Sequence, residues 1–160
     1  MSSPQLLLTL EVQALYAQYS ACLDEGRFAD WPQFFTEECI YKLIPRENHD
    51  GGLPLATLSF ESRGMLEDRV FSITETLFHA PYYQRHIVGG VRLLEVEPDG
   101  VVLAEANYLV IRTKRSEASE IFNAGRYVDR IVREEGRLRF RERLCIFDSE
   151  LIPNSIIYPI

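Results

Sequence analysis

The sequence predicts an α+β domain in which helices come first and a long antiparallel sheet follows. Three observations carry this. Apolar residues recur at three- and four-residue steps through about residue 77, the period falls to two from residue 85 onward, and compact turn signals separate the later strands.

In the first element Leu8, Val12, Leu15, Tyr19 and Leu23 form one helical stripe. Ser3-Pro4 supplies an N-cap and first-turn pair, and Gly26 a C-terminal stop. Asp30 is expected to cap a short second helix with Trp31, Phe34 and Phe35 on one face, and residues 39–45 are rich in strand formers. After the break at Gly51-Gly52 and Pro54, residues 60–77 predict a third helix, with Met65 or Leu66, Val70, Ile73 and Leu77 at helical intervals. Gly89-Gly90 interrupts a strand pattern and predicts a bulge. Glu97-Pro-Asp-Gly100 is a turn leading into a strand over 101–113, with Leu103, Glu105, Asn107, Leu109 and Ile111 on one face. A strand over 121–133 and a tight Glu134-Glu-Gly136 turn come next. In the last strand Leu138, Phe140, Leu144 and Ile146 alternate with Arg139, Arg141 and Arg143. That alternation predicts an outward arginine face, partnered across strands by Glu134, Glu135 and Asp129 or by another protein. A twisted sheet of this kind curls around the first helices into a cone with an open mouth, the architecture of NTF2-like (cystatin-like) domains. The expectation is a single such domain over residues 1–160.

At 160 residues, with 46% apolar and 26% charged residues, the chain can bury a core without metal or disulfide staples. A formal charge of −7 argues against nucleic acid, whose phosphates need a concentrated basic surface. The N-terminal stretch has no basic region and only a short apolar run broken by Thr9, so neither a signal peptide nor a membrane span is expected. The three cysteines, Cys22, Cys39 and Cys145, stand far apart without pairing motifs, which suits reduced thiols in the cytoplasm.

The stretch His79-Ala-Pro-Tyr-Tyr-Gln-Arg-His86 most resembles an active-site signature. Yet the three histidines form no HxH, HxxxH or HExxH pair, and scattered cysteines cannot hold an iron–sulfur cluster, so no metal or cofactor site is expected here. For acid–base chemistry, Asp24, Tyr41, His86, Asn107 and Tyr127 are the polar groups that can face into the cone. Such groups equally serve buried hydrogen-bond networks. The ending Asn154-Ser-Ile-Ile-Tyr-Pro-Ile160 has five apolar residues in seven. Burying each large side chain is worth roughly 1.5–3 kcal/mol, so the tail either packs on its own domain or docks on another chain.

The stretch from Tyr19 to Tyr41, which contains Asp24-Glu-Gly-Arg-Phe-Ala-Asp-Trp, resembles the small (β) subunits of Rieske non-haem iron ring-hydroxylating oxygenases. So do Arg46-Glu-Asn, Met65-Leu-Glu-Asp-Arg-Val, Arg85-His-Ile-Val, Asn107-Tyr-Leu-Val-Ile-Arg, Gly125-Arg-Tyr-Val-Asp and Arg143-Leu-Cys-Ile-Phe-Asp-Ser, in order along the chain. Arg46 to Leu55, His79 to His86 and the C-terminal seven look most like small subunits serving carboxylated aromatics, 5-hydroxylation of salicylate among them. The resemblance implies the cone fold and a mainly structural role beside a large (α) subunit, usually as α3β3. It also places the Rieske [2Fe–2S] cluster, the mononuclear Fe(II) and the substrate pocket in that large subunit, which ferredoxin and reductase components feed with electrons from NAD(P)H. The candidate subunit contacts are Tyr82, Arg85, His86, Arg139, Arg141, Tyr158 and Ile160. A self-sufficient dehydratase or isomerase using Asp24, Tyr41 and His86 is the rival expectation, and a ligand-binding cone without catalysis a third.

Overall fold

The computed structural model describes residues 3–150 and 156–160. In chain order they form helix α1 (Ser3–Asp24), a 3-10 helix (Phe28–Phe34), strand β1 (Phe35–Pro45), the short helix α2 (Arg46–Asp50), strand β2 (Leu58–Phe60) and helix α3 (Arg63–Phe71). A π-helical turn (Ser72–Thr76) follows α3, and then come β3 (Tyr82–Val96), β4 (Val102–Lys114), β5 (Glu120–Glu134) and β6 (Arg137–Phe147). The six strands make one sheet in the order β2-β1-β6-β5-β4-β3, in which only the β1–β6 pair is parallel.

Helix α1 runs where its stripe requires. Val12, Leu15, Tyr19 and Leu23 are buried, Leu8 packs at their margin, and Tyr16 and Cys22 join them. Gly26 ends the helix with φ of +70°, and its N–H and that of Arg27 close onto the carbonyls of Leu23 and Cys22. The turn at 97–100 closes through the Gly100 N–H on the Glu97 carbonyl. Glu135 and Gly136, both at positive φ, make the β5–β6 hairpin.

Several boundaries differ from the sequence expectation. The 3-10 helix starts at Phe28, so Asp30 lies inside its first turn and is not its cap. Phe60 belongs to β2, and α3 begins at Arg63, capped by the Ser62 hydroxyl accepting from the Met65 N–H. Strand β1 starts at Phe35, ahead of the apolar run at 39–45, because Phe35 already pairs with Phe140 of β6 before an irregular stretch that ends at Ile40. Helix α2 and strand β2 are too short to leave a periodic signal.

Two corrections concern side-chain direction. On β4 the face carrying Leu103, Glu105, Asn107, Leu109 and Ile111 is the outer one, and Asn107 is exposed. Val102, Ala104, Ala106, Tyr108, Val110 and Arg112 turn inward. On β6, Arg141 occupies a bulge: Ile131 pairs with Phe140, but Arg130 pairs with Glu142. The extra residue reverses the alternation, so Arg143 enters the core fully buried while Arg137 and Arg141 remain outside. The expected bulge at Gly89-Gly90 is present as a register shift between Gly89 and Arg92.

Gly125 on β5 marks a close approach of backbones. A Cβ there would sit 2.0 Å from the Ile146 carbonyl oxygen, an atom of the neighbouring strand that cannot swing aside. We expect Gly125→Ala to destabilise the domain by about 3 kcal/mol, the upper range for overpacking. In thermal unfolding that is a fall in Tm of about 6–12 °C, and an unchanged Tm would contradict the packing described here.

Candidate functional site

Three polar constellations stand out. The first is in the core, where the Arg143 guanidinium lies over the Tyr127 and Phe140 rings, each 3.8 Å from its centroid, and 4.2 Å from that of Tyr19. Its Nε and Nη2 donate to the two carboxylate oxygens of Asp129 at 3.0 and 2.8 Å, and the Tyr16 hydroxyl donates to the same carboxylate. Burial opposes the arginine's charge, but Asp129 alongside more than offsets it and holds its pKa well above the usual value. This is a structural pair, and it uses the Asp129 that the alternation pattern placed on the surface.

The second lies inside the cone, where the chain's own tail fills the space. Ile160 is fully buried, and Ile156 and Tyr158 nearly so. The Ile160 carbonyl accepts from the Tyr19 hydroxyl at 2.8 Å and the Tyr41 hydroxyl at 3.2 Å, and its N–H donates to Tyr41 at 3.0 Å. Arg69 on α3 donates to the carbonyls of both Ile156 and Ile157 at 2.9 Å. Tyr158 stacks on Phe28, lies tilted against Tyr82 and meets His79 Nε2 at 2.9 Å. The tail therefore packs on its own domain, and the groups of Tyr158 and Ile160 named as partner contacts face inward in this chain. Residues 154 and 155 of the tail lie outside the described residues.

The third pairs Asp24, the last residue of α1, with His86 on β3. His86 Nδ1 is 2.6 Å from Asp24 Oδ1, and the His86 backbone N–H donates to both carboxylate oxygens at 3.0 Å. Both side chains are almost completely buried. They line a cavity of about 550 Å³ between α1 and the edge strand β3. Tyr41, the third member of the rival catalytic set, does not line it and is occupied by Ile160. Asn107 lies on the other face of the sheet, and Tyr127 is buried under Arg143. The structure thus brings together two of the candidate acid–base residues and keeps the others apart.

The predicted arginine face is divided. Arg141 is exposed, whereas Arg139 is mostly covered and lies 3.9 and 3.8 Å from Glu134 and Glu135, too far for tight pairs. With Arg27, Arg133 and Arg137 it borders a groove of about 720 Å³ along α1. Arg112, which the sequence does not single out, is buried on the Phe122 ring and held by Glu120.

Among the described residues no three His, Cys, Asp or Glu side chains are grouped so as to hold a metal ion. His49 contacts Asp50, His79 contacts Tyr158 and His86 contacts Asp24, so each imidazole serves a separate local bond. The donor set does not fit a Rieske cluster or a mononuclear iron. Among the described residues no helix is long and apolar enough to cross a membrane.

The three cysteines are free and buried. Burial pushes the thiols of Cys22 and Cys39 up to about 11 and that of Cys145 up to about 12. An acid whose folded pKa is raised stabilises the fold below its unfolded pKa, near 9 for a thiol, and loses that contribution as pH climbs through the folded value. Stability is expected to decline from about pH 9 toward 11–12, seen as a falling Tm. At neutral pH a thiol reagent should label all three only after denaturant is added. Fast labelling of the native chain would be inconsistent with this burial.

Taken together, the strand order, the helix across its inner face and the filled interior define an α+β cone of the NTF2-like type with no metal centre among its described residues. The family model for the ring hydroxylating beta subunit matches residues 19–154, and the chain belongs to that family. The small subunit of anthranilate 1,2-dioxygenase from Burkholderia cepacia is 33% identical over 150 residues, covering 94% of this chain and 92% of its own length. A β subunit of the terminal oxygenase component of terephthalate 1,2-dioxygenase from Comamonas is 29% identical, with 94% and 97% coverage. Among solved structures, one described as the β subunit of an aromatic-ring-hydroxylating dioxygenase from Novosphingobium aromaticivorans superposes with a TM-score of 0.90 at 36% identity. It covers 99% of this chain and all of that one. A protein described as a scytalone dehydratase from the same organism, at 17% identity and a TM-score of 0.70 over all of this chain and 93% of its own, shares the fold alone.

Proposed function

We propose that the chain is the non-catalytic small subunit of a cytoplasmic aromatic-ring hydroxylase, mono- or dioxygenating, whose large subunit carries the Rieske [2Fe–2S] cluster, the mononuclear Fe(II) and the substrate pocket. Family membership over residues 19–154 is the observation that carries this reading. The filled cone adds support, since the tail occupies the hydroxyl of Tyr41 that the dehydratase reading requires. The assembly is an α3β3 hexamer supplied with electrons from NAD(P)H by ferredoxin and reductase components, with O2 as oxidant. The substrate is a carboxylated aromatic such as salicylate, in keeping with relatives named for anthranilate and terephthalate.

An apolar strip on the outer face of the sheet suits a covered surface. Ile87 lies opposite Leu109 and Ile111 opposite Ile121, with Tyr83 and Arg85 beside them. Tyr83, Ile87 and Ile121 are each more than half exposed. Together with Arg139 and Arg141 this strip is the contact surface we assign to the large subunit, while Tyr82, His86, Tyr158 and Ile160 support it from within. Ile87→Glu and Ile121→Glu should each weaken association with the large subunit by about 30-fold, the scale of an interface hot spot, and leave the Tm of the isolated chain nearly unchanged. Unaltered association in both variants would remove the strip from the interface.

The reading as a whole is tested by expressing the chain with and without a large subunit of the ring-hydroxylating oxygenase family. The expected result is a colourless, iron-free, inactive chain that co-purifies with the large subunit when both are made. Turnover of a small substrate by the chain alone, abolished in His86→Ala, would overturn it.

A further inference from the structure

Residues 156–160 are held in the way a bound ligand is held. Among the described residues they belong to no helix or strand and make no backbone–backbone hydrogen bond. Side chains of the body read their main chain instead. Arg69 donates to the carbonyls of Ile156 and Ile157, the Tyr158 N–H donates to the Tyr82 hydroxyl at 3.4 Å, and Gln84 Nε2 donates to the Pro159 carbonyl at 3.4 Å. Tyr41 closes the far end with one hydroxyl that accepts from the Ile160 N–H and donates to the Ile160 carbonyl. The Tyr19 hydroxyl accepts from Trp31 Nε1 at 3.1 Å, which leaves its own proton for that same carbonyl.

These reading groups stand on α1, β1, α3 and β3, so the body assembles the site. The apolar side chains enter in alternation: Ile156, Tyr158 and Ile160 are buried, and Ile157 between them is half-buried. Tyr158 has a pocket of its own, walled by the Phe28 and Tyr82 rings and closed at its hydroxyl by His79 Nε2. Pro159 brings no N–H that needs a partner in the core, and its ring restricts the free segment, which reduces the entropy lost on binding. An extended peptide is commonly captured at a sheet edge, where main chain reads main chain. Here side chains do the reading, and none of the contacts depends on the segment's covalent link to β6.

We propose that the cone is a peptide-binding site. Its ligand is an extended apolar segment with large side chains at the first, third and fifth positions and a tyrosine at the third. The site accepts that segment from a second molecule as well as from its own chain. In the intact chain the tail prevails because a short tether holds it at an effective concentration on the order of millimolar. The inference rests on the tail contacts alone and does not depend on the subunit reading.

The test is competition in the full chain. Ile160→Ala weakens the tethered tail by roughly 30-fold or more, the lower limit for such a truncation in a core. The probe is a fluorescently labelled peptide with the wild-type sequence of residues 156–160, followed by anisotropy. It should bind the variant with an apparent Kd of about 30 µM or below, against about 1 mM for the wild-type chain, whose own tail competes on equal terms. The unlabelled peptide should raise the Tm of the variant toward that of wild type. A peptide ending in alanine should do neither. If Ile160→Ala does not fold, Ile160→Val serves in its place, with an expected gain in peptide affinity of about fivefold over wild type. Equal affinity of the peptide for variant and wild type, a variant Tm that does not move at millimolar peptide, or an equal effect of the alanine peptide would overturn the proposal.

Discussion

Replacing Arg143 with methionine should destabilise the domain by about 3–5 kcal/mol, because it removes one member of a buried ion pair and leaves the other. In wild type, Asp129 takes two hydrogen bonds from Arg143 and one from Tyr16, all inside the core. In the variant it keeps only the tyrosine, and the space over the Tyr127 and Phe140 rings passes from a planar cation to a flexible thioether. The expected fall in Tm is about 10 °C or more. The double variant Arg143→Met with Asp129→Leu should recover much of the loss, since it removes the stranded charge together with its partner. A double variant no more stable than Arg143→Met would show that aromatic stacking, and not the ion pair, dominates at this position.

Removing residues 156–160 should be comparably severe. It withdraws Ile156, Tyr158 and Ile160 from the core and strands the hydroxyls of Tyr19 and Tyr41, which the Ile160 backbone now satisfies. At roughly 1.5–3 kcal/mol for each of the three large apolar side chains, the loss is about 4.5–9 kcal/mol. The shortened chain should show a non-cooperative thermal transition and bind a hydrophobic dye, as a domain with an opened core does. The milder Ile160→Ala, with the backbone bonds intact, should cost about 2–5 kcal/mol. A truncated chain with wild-type Tm and a sharp transition would mean that the tail is an accessory and the cone is stable when empty.

Much of this protein was legible in the sequence where a local period had several residues to establish itself. The stripe on α1, the stop at Gly26, the β5–β6 hairpin and the bulge at Gly89-Gly90 follow from side-chain spacing and from glycine's tolerance of positive φ. Elements of three to five residues, such as β2 and α2, hold less than two periods, too few repeats to leave a signal. The direction of Arg143 was hidden for another reason. A single inserted residue at Arg141 inverts every position after it, and nothing in the composition of β6 marks the bulge.

The candidate sites divide in the same way. Asp24 and His86 are 62 residues apart; the sequence offers both as candidates, but neither segment by itself pairs them. They meet because the end of α1 lies beside the edge strand, a relation set by how the helix packs across the sheet. Sequence by itself determined the class of fold, the family and the lack of a recognisable metal motif, since hydrophobic period, turn chemistry and ligand spacing are properties of the chain read in order. Only the tertiary structure decided that the tail fills the cone, that Arg143 is a core residue and that Asp24 and His86 form a buried pair. Those outcomes depend on which groups a folded chain leaves facing one another, and burial energy is shared among residues that no local window contains.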